Sequence, residues 1–170
     1  MKNKKIALTC MTGVFTALVF VVTAYLHIPT YNGYIHVGDG LIYLAACLLP
    51  WPYAMTVGAG GALLADCLTG YALWAPGSVV IKAVSVLFFT PKGSKILNLR
   101  NLSALLPAAV FCAGGYYLYE ALIYGNYISP LEGIPASVTQ SVASSAVFIC
   151  LALTVDKTKI KMKINGEKHQ

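Results

Sequence analysis

Charge is scarce in this chain of 170 residues: 11% of them are charged, and six acids face twelve Lys and Arg. With 58% hydrophobic residues and a mean hydropathy of +0.70, that scarcity excludes an ordinary soluble domain. Also missing is any G-x-x-x-x-G-K-[ST] loop, so the chain is not expected to hydrolyse ATP itself. The absence of H-E-x-x-H, G-x-S-x-G and metal-spaced Cys/His clusters removes support for an intramembrane enzyme or a metal site, and no cofactor is called for. The five cysteines, Cys10, Cys47, Cys67, Cys112 and Cys150, include no C-x-x-C pair; unpaired thiols buried in packing are expected. No low-complexity segment or internal repeat occurs, and the two halves of the chain differ, which speaks against an inverted-repeat transporter.

Present instead are long apolar runs punctuated by Pro, Gly and charge, the pattern of one integral membrane domain covering residues 1–170. The first run follows the basic start "MKNKK", is about 20 residues long and lacks a small-x-small cleavage site, so it reads as a retained helix rather than a signal peptide. The fold class expected is an all-α integral membrane protein with six transmembrane helices at 6–27, 37–50, 53–70, 77–90, 103–124 and 134–155. Pro50-Trp51-Pro52 divides the second helix from the third, because proline removes a donor and clashes with the preceding turn.

The basic residues orient the bundle. Lys2, Lys4 and Lys5 precede the first helix, Lys92, Lys95 and Arg100 lie between the fourth and fifth, and Lys157, Lys159, Lys161, Lys163 and Lys168 form the tail. Segments 28–36, 71–76 and 125–133 contain no Lys or Arg. By the positive-inside rule these face outward, and both termini, with basic tails at 1–5 and 156–170, are cytoplasmic. The net charge of +6 is thereby explained without nucleic acid; the tail reads as a solvated topology signal that can also touch anionic lipid.

Intramembrane charge costs about 2.5–3.5 kcal/mol near a helix centre, which makes the few such residues informative. Asp39, Asp66, Lys82 and Glu120 all fall in the outer half under this topology, with Gln140 at a depth like that of Lys82. Polar groups on independent helices at one level suggest a shared, outward-facing pocket with His36 and Asp39 at its rim. Plainer readings stand beside it: Asp66 and Lys82 as an ion pair tying two helices, Asp39 as a helix cap, His36 as a residue in water. Glu120 has no obvious basic partner and is the better candidate for function.

Tyrosines gather at the outer ends, as an interfacial belt would. Tyr116 and Glu120, however, are spaced i, i+4 and set a stacking surface beside a charge, which suits a planar heterocycle with polar substituents. Three acids against one lysine favour a neutral or amine-bearing ligand. In the first helix Thr9, Gly13 and Ala17 form a small-xxx-small stripe, suited to internal packing or to docking another membrane subunit.

The ordered fragments "HVGDGLIYLAACLLP", "GAGGALLADCLTGY", "PGSVVIKAV", "GGYYLYEALIYG" and "IPASVTQSV" resemble helices 2 to 6 of the substrate-binding (S) components of energy-coupling factor (ECF) transporters, over nearly the whole chain. The resemblance implies capture of a small vitamin or vitamin precursor from outside, with a thiamine-precursor or B6-like ring expected, in the prokaryotic cytoplasmic membrane. It implies as partners a transmembrane coupling subunit and two ATPase subunits. Residues 31–39 and Trp74 become lid candidates, with Lys82, Tyr116, Glu120 and Gln140 in the pocket. The family's Ala-x-x-x-Ala docking signature is matched only by Thr9, Gly13 and Ala17. A stand-alone proton-coupled carrier using Asp66 or Glu120 is the alternative, and a packing subunit without ligand a third reading.

Overall fold

In the computed structural model, residues 2–30, 33–158 and 161 are described. The elements run α1 (Lys2–Tyr25), β1 (His27–Thr30), β2 (Gly33–His36), α2 (Asp39–Leu48), α3 (Trp51–Leu68), α4 (Ala75–Ser85), α5 (Leu99–Ser103), α6 (Leu105–Tyr124) and α7 (Ile134–Thr158). A 3-10 turn, Val86–Phe88, prolongs α4, and another, Ser129–Gly133, leads into α7. Three helical stretches are long and apolar enough to cross a membrane: Asn3–Tyr25, Leu99–Tyr124 and Ser129–Thr158.

Local chemistry explains the boundaries. Pro50 caps α3 and Pro52 lies in its first turn, where a missing N–H costs no helical bond. Asn98 caps α5 by accepting the Asn101 N–H at 2.9 Å. Gly125 ends α6 with φ +61°, a left-handed conformation suited to glycine.

Helix α2 departs most from expectation. It has ten residues, about 15 Å of rise, and from Ile42 to Leu49 every side chain is buried. It is a short central column wrapped by its neighbours. Tyr43 stacks on Phe89 at 4.6 Å and meets Phe148 edge-on, which joins α2 to α7 and to the end of α4. Gly40 makes the approach possible: a Cβ there would lie 2.7 Å from the Ser144 carbonyl oxygen of α7. Gly58 does the same between α3 and α4, where a Cβ would lie 2.8 Å from the Lys82 carbonyl oxygen.

One short element among the helices is not helical. Strands His27–Thr30 and Gly33–His36 form an antiparallel hairpin pairing His27 with His36, Ile28 with Ile35, Pro29 with Tyr34 and Thr30 with Gly33. A period-two alternation of ring and aliphatic side chains places Tyr34 and His36 on one face. Tyr31, a lid candidate, lies outside the described residues.

At the opposite end the segment between α4 and α6 is tied down by side chains. Asp156 accepts the N–H groups of Ile96 and Leu97 at 2.7 and 3.0 Å, while Asn101 donates to the carbonyls of Thr90 and Ile96. Lys161 is buried and donates to the Lys95 carbonyl at 3.0 Å, so this part of the tail is packed rather than solvated. Lys159, Lys163 and Lys168 lie outside the described residues. The cysteine expectation is also corrected: all five are free, but Cys10, Cys67 and Cys150 are exposed on the bundle's outer surface and only Cys47 and Cys112 are buried.

Candidate binding site

A cavity of about 70 Å³ opens at the hairpin end of the bundle. Five parts of the chain wall it: Thr30, Tyr34 and His36 from the hairpin, Asp66 and Tyr71 from the end of α3 and the turn after it, Trp74 and Ser78 from the start of α4, Cys112, Tyr116 and Glu120 from α6, and Gly133, Ala136, Ser137 and Gln140 from the start of α7. The volume is room for several waters, since one needs about 10–15 Å³ on this measure.

The polar groups are not independent. Tyr34 donates its hydroxyl to Asp66 Oδ1 in a short bond that ties the hairpin to α3. Burial, reinforced by the Asp66 carboxylate, pushes the Tyr34 hydroxyl well above the ordinary phenol range, so it stays a donor. Trp74 donates its indole N–H to Glu120 Oε1 at 3.3 Å, and Ser78 shares a 3.0 Å hydrogen bond with the Tyr116 hydroxyl. The α4 start is thus joined to α6 at two points.

The one ion pair among the described residues is Lys82 with Asp39, at 2.8 Å to each carboxylate oxygen. This corrects the reading that paired Lys82 with Asp66. Asp39 does not cap α2, whose cap residue Gly38 has no side-chain bond; its carboxylate also accepts the Gln140 amide at 3.0 Å. Lys82 Nζ lies 5.1 Å from the Tyr116 ring centroid. Neither Asp39 nor Lys82 reaches the cavity wall: they sit behind Gln140 and Tyr116.

His36 is 7% exposed, not in open water. Its Nδ1 accepts the Gly38 N–H at 3.1 Å, which assigns the neutral tautomer with hydrogen on Nε2. Burial, with the Lys82 charge adding to it against Asp39, lowers its pKa to about 4. Gln140 completes the arrangement by accepting the His36 N–H at 3.3 Å.

Of the residues singled out from the sequence, His36, Asp66, Trp74, Tyr116, Glu120 and Gln140 meet in this wall, while Asp39 and Lys82 stand behind it. Sequence reasoning did not single out Tyr71, Ser78, Cys112, Ala136 or Ser137. The signal for three of them was the four-residue repeat: Cys112 precedes Tyr116, Ser78 precedes Lys82 and Ala136 precedes Gln140, each by one helical turn.

Far from the cavity, Thr9, Gly13 and Ala17 lie on the exposed face of α1, and a Cβ added at Gly13 would meet nothing within 4 Å. The contact of α1 with α3 uses Thr16 and Val19 instead, against Gly60 and Gly61. Internal packing therefore does not account for the stripe.

Comparison with known families places residues 3–157 within the family described as ECF-type riboflavin transporter, S component. No curated protein matches the chain.

Proposed function

This chain belongs to the family of ECF-type riboflavin transporter S components, and from that membership we propose that its cavity captures a small vitamin or vitamin precursor, a planar heterocycle, for delivery through an ATP-driven ECF module. S components are substrate-binding subunits of transporters, not enzymes. The observation that carries the reading is convergence: the hairpin and α3, α4, α6 and α7 each send polar or aromatic side chains into one buried recess. A packing subunit would have no reason to bury Asp66 and Glu120 around a cavity, given the cost of intramembrane charge.

In this reading the six expected spans hold, with the short α2 as an inner helix, both termini in the cytoplasm and the hairpin end facing outward in the cell membrane. Chemistry inside the recess divides into stacking by Tyr116 and Trp74, hydrogen bonding by Asp66, Glu120 and His36, and support from behind by the Asp39–Lys82–Gln140 group. The cavity is smaller than the roughly 300–1,000 Å³ of a ligand pocket, so entry of a ring requires the hairpin or the Trp74 turn to move outward. The exposed Thr9, Gly13 and Ala17 stripe is the surface offered to the coupling subunit, and ATP is hydrolysed by two separate subunits.

Purified chain is expected to bind a vitamin tightly without ATP, measured by titration calorimetry. Uptake by vesicles containing this chain alone and driven by a pH gradient would overturn the reading in favour of a proton-coupled carrier using Asp66 or Glu120.

A further inference from the structure

The ionisable side chains on the cavity wall are unequal in sign. Asp66 and Glu120 are both there, 3% and 8% exposed, and no Lys or Arg joins them. Lys82, the nearby ammonium, is already neutralised by Asp39 at 2.8 Å behind the wall. His36 spends its Nδ1 lone pair on the Gly38 N–H and so faces the site as a neutral donor.

A second observation points to a ligand. Asp66 Oδ2 is buried and, among the described residues, has no hydrogen-bond partner, while its other oxygen holds the Tyr34 hydroxyl. Ser78 lies beside this carboxylate and shares a hydrogen bond with Tyr116 in which either oxygen can donate, so its proton is open to Asp66 only when Tyr116 is the donor. A buried carboxylate oxygen left without a donor is costly, and a ligand N–H would supply what is missing.

Aromatic faces complete the pattern. Tyr34, Tyr71 and Trp74 form a continuous run with centroid separations of 4.6 and 5.9 Å. Electron-rich rings on the same wall as two acids favour a positively charged guest, because the ring quadrupole attracts cations.

We infer that the substrate is an organic cation, a small aromatic heterocycle bearing a protonated amine, an amidine or a quaternary nitrogen, whose N–H groups or positive charge face Asp66 and Glu120. The inference rests on reading the cavity as the substrate site. A cation is the guest that lets both buried carboxylates keep their charge, and an anion would be repelled by them.

The test uses the detergent-purified full chain and four probes in titration calorimetry: thiamine and pyridoxamine as cations, riboflavin as a neutral ring and pantothenate as an anion. At least one cation is expected to bind 100-fold more tightly than riboflavin and pantothenate. Asp66→Asn and Glu120→Gln, each checked for folding by its unliganded melting profile, should lower the affinity for that cation at least tenfold. Failure of both cations to bind, or riboflavin or pantothenate binding as tightly as they do, overturns the inference. Co-purification with a membrane coupling subunit is scored separately: a chain that assembles but prefers riboflavin remains an S component and is not a cation receptor.

Discussion

Lys82 and Asp39 form a closed pair, with nitrogen–oxygen distances of 2.8 Å and both side chains only 2% exposed. Attraction between them offsets desolvation only while both are present. Lys82→Met should therefore destabilise the protein by about 3–5 kcal/mol by stranding the carboxylate. Adding Asp39→Asn to Lys82→Met should cost less than the sum of the two single changes. Unfolding in detergent of the four proteins of this cycle measures the coupling; strict additivity would show that the pair contributes nothing.

Tyr116 and Glu120 occupy successive turns of α6 and both face the cavity. Tyr116→Ala and Glu120→Gln are each expected to weaken ligand binding at least tenfold, about 1.4 kcal/mol, while the protein remains folded. Calorimetry with whichever vitamin the wild type binds best gives the answer. Unchanged affinity in both variants would remove these residues from the site.

Docking is separable from capture. Gly13 points into open space on α1, so Gly13→Leu should be tolerated by the fold and by the cavity. A leucine there would hold a partner helix away from the backbone. Co-purification with the coupling subunit should fall several-fold, with ligand affinity unchanged. Assembly at the wild-type level would show that the partner sits elsewhere.

His36 gives a pH signature. Its folded pKa of about 4 lies below the unfolded value near 6.5, so between them the unfolded chain binds more protons. The neutral ring's contribution is complete above pH 6.5 and is lost as pH falls toward 4, by about 3 kcal/mol. Melting temperatures from pH 7.5 to 4 should show this loss in the wild type and a shallower slope in His36→Gln. Identical slopes would place the imidazole in water.

Much of this architecture was legible because membrane insertion makes polar residues expensive, so those that remain report on function. Glu120, Tyr116 and Gln140 were read from depth and spacing alone and meet in one wall. Partner choice was not legible. Asp39 and Asp66 both lie near Lys82 in depth, and only the crossing of α2, α3 and α4 decides that Asp39 takes the ammonium. The hairpin was hidden for another reason: its ladder is four residues long and interrupted by Pro29, too short for a periodic signal to stand out. Burial of α2 was not legible either, since a short apolar run reads alike whether it faces lipid or the protein interior.

The brevity of α2 has a consequence for how such a receptor could change its taste. At about 15 Å the helix is half as long as a hydrocarbon layer of roughly 30 Å is thick, and the hairpin leads directly into its start. No residue of α2 lines the recess, whereas the hairpin contributes Thr30, Tyr34 and His36 to its wall. New specificities can then arise by rewriting two four-residue strands, while the helices of the molecule stay as they are.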